Sequence, residues 1–423
     1  MLTAVVGINW GDEGKGRMVD LLSEGYDVIC RYQGGNNAGH TVVNDRGKFI
    51  LNLLPSGILR DGVVNVMGGG MVIDPEHLCG EIETLNAKGV SVTPDNLKIS
   101  GKAFICLPYH KAQDILEEDR LADKKYGSTR RGIAPVYGDK YMKKGLRMGD
   151  LLDSASLGRK LNDILEWKNL TLEAYGSAKA NLSETQGWLD KYGSCLRPYI
   201  IDTTEYLSAA VGAGKNIMFE AQLGALRDID YGIYPYTTSS HTLAAYATSG
   251  AGIPGAKLDN VFGVMKAYSS CVGEGPFTAE MFGGEAEALR EVGAEYGAAT
   301  GRPRRVGGFD VVASRYGIRV QGANELALTK LDVLSYMEKI PVCVAYNIGG
   351  GITENFPSGD SLVHAEPVYE YLEGFKTDIS KCRKPEDLPL AAKRYIEFIE
   401  KAVGCPIKYV SVGPGRSDYL VYR

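Results

Sequence analysis

The sequence is short of histidine and tryptophan, with five and three residues in 423. It has no cationic excess: 47 Lys and Arg face 52 Asp and Glu, for a net charge of −5, which argues against nucleic acid as the main partner. None of the eight cysteines (Cys30, Cys79, Cys106, Cys195, Cys271, Cys343, Cys382 and Cys405) forms a C-x-x-C pair. Several sit in apolar runs, so they read as reduced, mostly buried thiols of a cytoplasmic protein. No basic segment precedes an apolar core at the amino terminus, so no secretory signal is expected. The longest uncharged stretch, residues 231–256, is full of Gly, Ser, Thr, Pro and Tyr. It is a poor bilayer span and reads as polar turns lining a site. No repeat or low-complexity segment stands out.

Glycine is plentiful. Its 53 residues stand well above an average usage of about 7%, as expected where turns are tight or backbone approaches a ligand closely. With 44% hydrophobic and 23% charged residues the chain is that of a globular protein. Short, nearly continuous apolar runs recur at 3–8, 27–31, 49–53, 63–67, 217–219, 261–265, 326–331, 341–346 and 407–412. Such runs suit strands covered on both faces. Stripes at helical spacing lie between them: Leu157, Leu161, Ile164 and Leu165, then Leu388, Ala392, Tyr395, Ile399 and Val403, with Gly404 and Pro406 stopping the second. The fold class read from this pattern is α/β. A large, mostly parallel central sheet is covered by helices, with a P-loop-like N-terminal turn. No linker divides the chain, so residues 1–423 read as one domain, with 151–215 a helical insertion.

Five constellations carry chemistry. The first run ends in Asn9-Trp10-Gly11-Asp12-Glu13-Gly14-Lys15-Gly16, a strand, glycine-rich turn and helix start of the kind that cradles phosphate. Gly16 stands where a Walker sequence has Ser or Thr, which leaves Asp12 as the nearby oxygen donor for Mg²⁺. Spacing alone also permits an ordinary turn with solvated charges. Second, residues 34–41 set His40 among Asn37, Ala38, Gly39 and Thr41, making it a better acid candidate than His77, His110 or His364. Third, Ser128, Thr129, Arg130 and Arg131 between glycines suit a phosphate monoester; the basic run 140–147 that follows reads alone as a solvated face. Fourth, Arg302, Arg304 and Arg305 crowd around Pro303, suiting a shared anion or a basic solvent loop. Fifth, Thr329-Lys330-Leu331-Asp332 resembles the guanine-reading tetrad of GTP-binding proteins, with Ser411, Val412 and Gly413 placed to close a base pocket.

Taken together and in order, the chain resembles the adenylosuccinate synthetase family. The match is carried by WGDEGKG (10–16), RYQGGNNAGHT (31–41), LPSGIL (54–59), RRGIAP (130–135), YPYTTSS (234–240), KAYSSCVGEGPF (266–277), TGRPRR (300–305) and TKLDVL (329–334). The resemblance implies GTP-dependent ligation of L-aspartate to IMP through a 6-phosphoryl-IMP intermediate, giving adenylosuccinate, GDP and phosphate in the AMP branch of purine biosynthesis. It implies Asp12 as base and Mg²⁺ ligand, Gly39 as a carbonyl ligand of the metal, and His40 as acid. GTP would be held by Glu13, Gly14, Lys15, Gly16, Gly39, His40, Thr41, Arg304, Lys330, Leu331, Asp332, Ser411, Val412 and Gly413. IMP would meet Asp12, Asn37, Ala38, Gly39, His40, Thr129, Lys143, Gln222, Thr238 and Arg302, and aspartate the loop of Ala298, Ala299, Thr300, Gly301, Arg302 and Arg304. A homodimer with a shared active site is implied, Lys143 serving the neighbouring subunit.

Three departures stand out. Lys143 replaces the family's usual arginine and loses its fork. Gapless pairing puts Leu223 where the family has a catalytic glutamine; Gln222, one residue away, is the catalytic candidate in its place, brought there by a local shift. The family's paired threonines before TGR are Ala299 and Thr300 here. Two rivals to the leading reading are an aspartate ligase for a guanine-type nucleotide, which the retained Asp12 disfavours, and a non-catalytic GTP-binding paralogue.

Overall fold

The computed structural model describes residues 1–44, 47–297 and 301–422. Strand β1 (Leu2–Gly7) is apolar at almost every position and buried along its whole length, as a strand covered on both faces must be. It lies inside a ten-stranded sheet with β2 (Val28–Arg31), β3 (Val64–Met67), β4 (Leu97–Ser100), β5 (Ile200–Ile201), β6 (Ile217–Gly224), β7 (Asn260–Lys266), β8 (Glu325–Thr329), β9 (Ile407–Ser411) and β10 (Tyr419–Val421). The spatial order is β10-β9-β8-β7-β1-β6-β2-β3-β4-β5. Every pairing in it is parallel except β9 with β10. Val5, Val6 and Ile29 are fully buried; each such side chain contributes about 1.5–3 kcal/mol by leaving water.

The expected α/β architecture is therefore present, with two strand readings falling outside the main sheet. The run at 49–53 lies in a two-stranded antiparallel hairpin, His40–Asn44 with Gly47–Leu51. The run at 341–346 lies in the strand Lys339–Ile348 of a separate small sheet, paired with Phe309–Asp310, Gly351–Thr353 and Glu366–Glu373. The interval 151–215 supplies helices Ser154–Ala174, Leu182–Leu196 and Thr203–Gly212, and also the edge strand β5. Its stripe of Leu157, Leu161, Ile164 and Leu165 packs into one hydrophobic cluster with Leu97 and Ile99 of β4. The stripe on helix Leu390–Val403 is likewise buried, and that helix stops at Gly404 with φ 70°.

In β1, Gly7 leads through residues 8–14 into helix α1 (Lys15–Leu22). Its neighbours β6 and β7 run parallel to it, as do β2 and β8 beyond them. Loops after β1, β2, β6, β7, β8 and β9 therefore leave from one edge, the carboxyl edge where open α/β sheets bind ligands. Helix α1 also anchors the β9–β10 turn. Its Arg17 Nη2 donates to the carbonyls of Gly413 (2.8 Å) and Gly415 (3.0 Å), and its buried Asp20 accepts two hydrogen bonds from Arg416 (2.7 and 2.6 Å).

Candidate active site

The turn after β1 is held by a carboxylate within it. Glu13 Oε1 accepts from the amides of Asn9 (3.1 Å) and Gly11 (2.8 Å), and Oε2 from Lys15 Nζ (2.7 Å). Both side chains of that ion pair are buried, so the lysine enters the site already countered. They fit only because Gly7 has no side chain: a Cβ there would stand 2.5 Å from Glu13 Oε2 and from the Leu223 carbonyl. Asp12 takes φ 60°, uncommon for a residue with a Cβ and a form of strain that clusters at functional sites. Its Oδ2 lies 3.2 Å from Arg304 Nε.

His40 opens the hairpin and lies over α1. A Cβ on Gly16 would meet its Cδ2 at 2.4 Å, so the Gly16 that breaks the Walker pattern is also what admits the imidazole. Nε2 of His40 is 2.8 Å from Ser56 Oγ, and the Ser56 hydroxyl donates to Glu220 Oε1 at 2.7 Å. The hydroxyl has one proton to give, so Nε2 is the donor to Ser56. Burial pushes the His40 pKa down to about 4; Glu220 pulls it upward, while Arg31 and Lys15 push it further down. The ring is therefore neutral at pH 7. Arg31 is 1% exposed, bonds the Asn52 carbonyl, and keeps a buried Nε without a hydrogen-bond partner among the described residues.

The β1–β6 register runs Val5 opposite Glu220 and then Gly7 opposite Gly224, so β6 carries extra residues there. Leu223 takes φ 63° in this irregular stretch. Gln222 is 4% exposed; its amide donates to the carbonyls of Gly35 (2.8 Å) and Ala38 (3.2 Å) and accepts from the Gly35 amide (3.1 Å). Gln222 thus grips the loop that presents His40.

On the other flank, Lys330 begins the turn after β8 with φ 60°, and its Nζ donates to Gly293 O and Glu295 Oε1, both at 2.7 Å. Arg304 Nη1 reaches the same carboxylate through Oε2 at 2.8 Å. Asp332 lies beyond, with a buried Oδ1 that has no hydrogen-bond partner among the described residues. Burial raises its pKa. A buried acceptor without a donor is costly, and a ligand bearing N–H groups would relieve it.

Asp12, Glu13, Lys15, Arg31, His40, Gln222, Arg304 and Lys330 face one cleft of about 380 Å³. Of the residues expected at the site, Asp12, Glu13, Gly14, Lys15, Gly16, Ala38, Gly39, His40, Thr41, Gln222, Arg304 and Lys330 line it. Asn37, Thr129, Lys143, Thr238, Gly301, Arg302, Leu331, Asp332, Ser411, Val412 and Gly413 do not. Thr129 and Lys143 are exposed, and Lys143 sits in a turn with φ 62°. Arg302 pairs with Glu274 at 3.1 Å, and Glu274 neighbours Gly127 beside the Thr129 loop. Thr238 donates its amide to Arg227 O (2.9 Å), and the Arg227 guanidinium binds the Tyr236, Val272 and Glu274 carbonyls. Arg302, Thr238 and the Thr129 loop, all assigned to IMP, thus meet around Glu274 and Arg227. Ala298, Ala299 and Thr300 lie outside the described residues. Arg31, Lys48 and Glu220 also line the cleft and were not singled out from sequence. Arg31 and Glu220 sit inside apolar strands, where a lone charge next to a glycine-rich loop is the available signal.

Residues 4–420 match the adenylosuccinate synthetase family. Relatives named adenylosuccinate synthetase include that of Caldanaerobacter subterraneus subsp. tengcongensis, 47% identical over 100% of this chain and 99% of the relative, and that of Trichlorobacter lovleyi, 45% identical over 99% and 98%. Among solved structures, the fully ligated adenylosuccinate synthetase of Plasmodium falciparum superposes with a TM-score of 0.94 at 37% identity, covering 100% of this chain and 99% of that one. The succinoaminodeoxyadenylate synthetase of cyanophage S-2L, bound to dGMP and dATP, shares the fold at a TM-score of 0.60 and 21% identity, covering 99% and 94%.

Proposed function

The chain belongs to the adenylosuccinate synthetase family, and from that premise we propose how its own residues divide the reaction. The protein is a GTP-dependent ligase that joins L-aspartate to IMP in purine nucleotide biosynthesis. Asp12 removes the proton from N1 of the hypoxanthine ring, which makes O6 nucleophilic. O6 takes the γ-phosphoryl of GTP and GDP departs. The aspartate amine then displaces the phosphate at C6. His40, on the loop that Gln222 grips, turns the Nε2 proton that otherwise meets Ser56 toward the transferring phosphoryl, where as a neutral donor it stabilises charge and assists departure. Lys15 and the amides of Gly14 and Gly16 hold GTP phosphates. Lys330 and Asp332 read guanine under Ser411, Val412 and Gly413. Arg302, Arg304 and the 298–301 loop take aspartate. Asn37, Thr129 and Thr238 take IMP.

The donor set suits Mg²⁺, since the Asp12 carboxylate and the Gly39 carbonyl are hard oxygens at the cleft. Such an ion neutralises phosphate charge when bound. We read the protein as cytoplasmic, in keeping with its eight free thiols. We read it also as one domain carrying a helical insertion at 151–215, and as a homodimer. The dimer reading is supported by Lys143, which is exposed between Tyr141, Met142 and Lys144 and outside its own chain's cleft.

The observation that carries this division is the convergence of Asp12, Lys15, His40 and Gln222 on one cleft. The test is a product assay with IMP, GTP, Mg²⁺ and aspartate, omitting each in turn. Adenylosuccinate requires all four; turnover that persists without IMP, or that prefers dGMP to IMP, overturns the assignment. Mixing inactive Lys143→Ala and Asp12→Asn proteins restores activity if sites are shared between subunits, and does not otherwise.

A further inference from the structure

Glu295 follows helix Gly283–Val292 and is wholly buried. Its Oε1 accepts from Lys266 Nζ (2.8 Å), Lys330 Nζ (2.7 Å) and the Tyr268 hydroxyl. Its Oε2 accepts from Lys266 Nζ (3.0 Å) and Arg304 Nη1 (2.8 Å). Three cations and a hydroxyl thus converge on one carboxylate. Burial alone would raise its pKa, but Lys266, then Lys330 and Arg304, hold it well below the carboxylate range. Lys266 is 3% exposed and stays behind the site, whereas Lys330 and Arg304 both line the cleft. Arg304 continues to Asp12. An unbroken line of charge therefore runs Lys330–Glu295–Arg304–Asp12.

We propose that Glu295 is a positioning residue that sets Lys330 and Arg304 as one unit, so that guanine nucleotide and L-aspartate bind cooperatively through a shared buried carboxylate. The proposal rests on the assignment of Lys330 to guanine and Arg304 to aspartate given above. Glu295 touches neither ligand. A nucleotide that fixes Lys330 holds the carboxylate in place, and the carboxylate holds the guanidinium that aspartate must meet. Because coupling of binding is reciprocal, aspartate tightens the nucleotide by the same factor. Glu295→Gln leaves three close cations around a neutral amide, and Lys330 and Arg304 lose their common anchor.

Initial rates of the intact protein, with each substrate varied in turn, test this. For Glu295→Gln the KM values for GTP and aspartate each rise about tenfold or more, that for IMP stays within about twofold, and the fall in aspartate KM with rising GTP disappears. Glu295→Asp keeps the charge and recovers both KM values in part. Should Glu295→Gln fail to fold, Tyr268→Phe and Lys266→Met touch the carboxylate but not the cleft, and both KM values again shift together. Three KM values rising alike, or GTP and aspartate moving independently, would overturn the proposal. Lys330→Met separates the two readings. If it leaves the GTP KM unchanged, the site assignment fails; if it raises that KM while Glu295→Gln does not, the coupling alone fails.

Discussion

Arg304 Nε stands 3.2 Å from Asp12 Oδ2, while another nitrogen of the same guanidinium is committed to Glu295. The carboxylate assigned as proton acceptor is therefore steered by the loop assigned to aspartate. Asp12→Asn keeps the shape and removes the basicity. Its kcat falls about 10²- to 10⁴-fold, in line with the loss of a general base. The thermal midpoint barely moves, because the side chain is 30% exposed. Product assays and thermal melts read both quantities; a kcat near wild type removes the base assignment.

Asp332 offers a buried oxygen with no hydrogen-bond partner among the described residues. Asp332→Asn turns acceptor capacity into donor capacity where guanine would present N–H groups. The GTP KM rises by about 10²-fold or more, and xanthosine triphosphate gains relative to GTP. Competition between the two nucleotides measures this. Unchanged base selectivity contradicts the guanine assignment.

His40 links the site to pH. Its folded-state pKa is about 4, against about 6.5 for an unperturbed imidazole. Between those values the unfolded chain binds the extra proton. The stability tied to this residue is therefore fully present above about pH 6.5 and is lost as pH falls toward 4. The wild type loses up to roughly 3 kcal/mol more than His40→Asn between pH 7.5 and 4. Denaturant titrations of both proteins at the two pH values check it, and a pH-independent difference refutes it.

Gly7 is tested by Gly7→Ala. The added methyl meets a backbone carbonyl, that of Leu223, at 2.5 Å, which no rotamer change relieves. Destabilisation of about 1–3 kcal/mol is expected, with a raised GTP KM because Glu13 and Lys15 are displaced together. Urea unfolding and initial rates measure the pair; a stability equal to wild type shows that the strand yields more easily than its packing implies.

Much of this was readable from the residues. Apolar strands followed by glycine-rich polar turns located the carboxyl edge of the sheet, because few other patterns suit a doubly covered strand feeding a ligand loop. The strand Glu366–Glu373 gives no such signal, since Glu366, Glu370 and Glu373 break up its apolar character and no residue in it is buried. Strand β5 is too short to announce itself among helices. Within the site, Gln222 and Leu223 could be ordered only by the backbone, whose turn to φ 63° at Leu223 goes with Gln222 reaching the His40 loop. The union of Lys330 and Arg304 on Glu295 spans residues 295 to 330 and needs the fold to bring them together.

The Glu13–Lys15 pair makes the first turn its own counterion. A bare ammonium beside open amides would attract any small anion in the cell, chloride and inorganic phosphate included. Here such an ion must displace a carboxylate that is buried, triply bonded and already in place. Only a species bringing several negative charges at once can win that exchange, so discrimination in favour of a polyphosphate begins before any base is read.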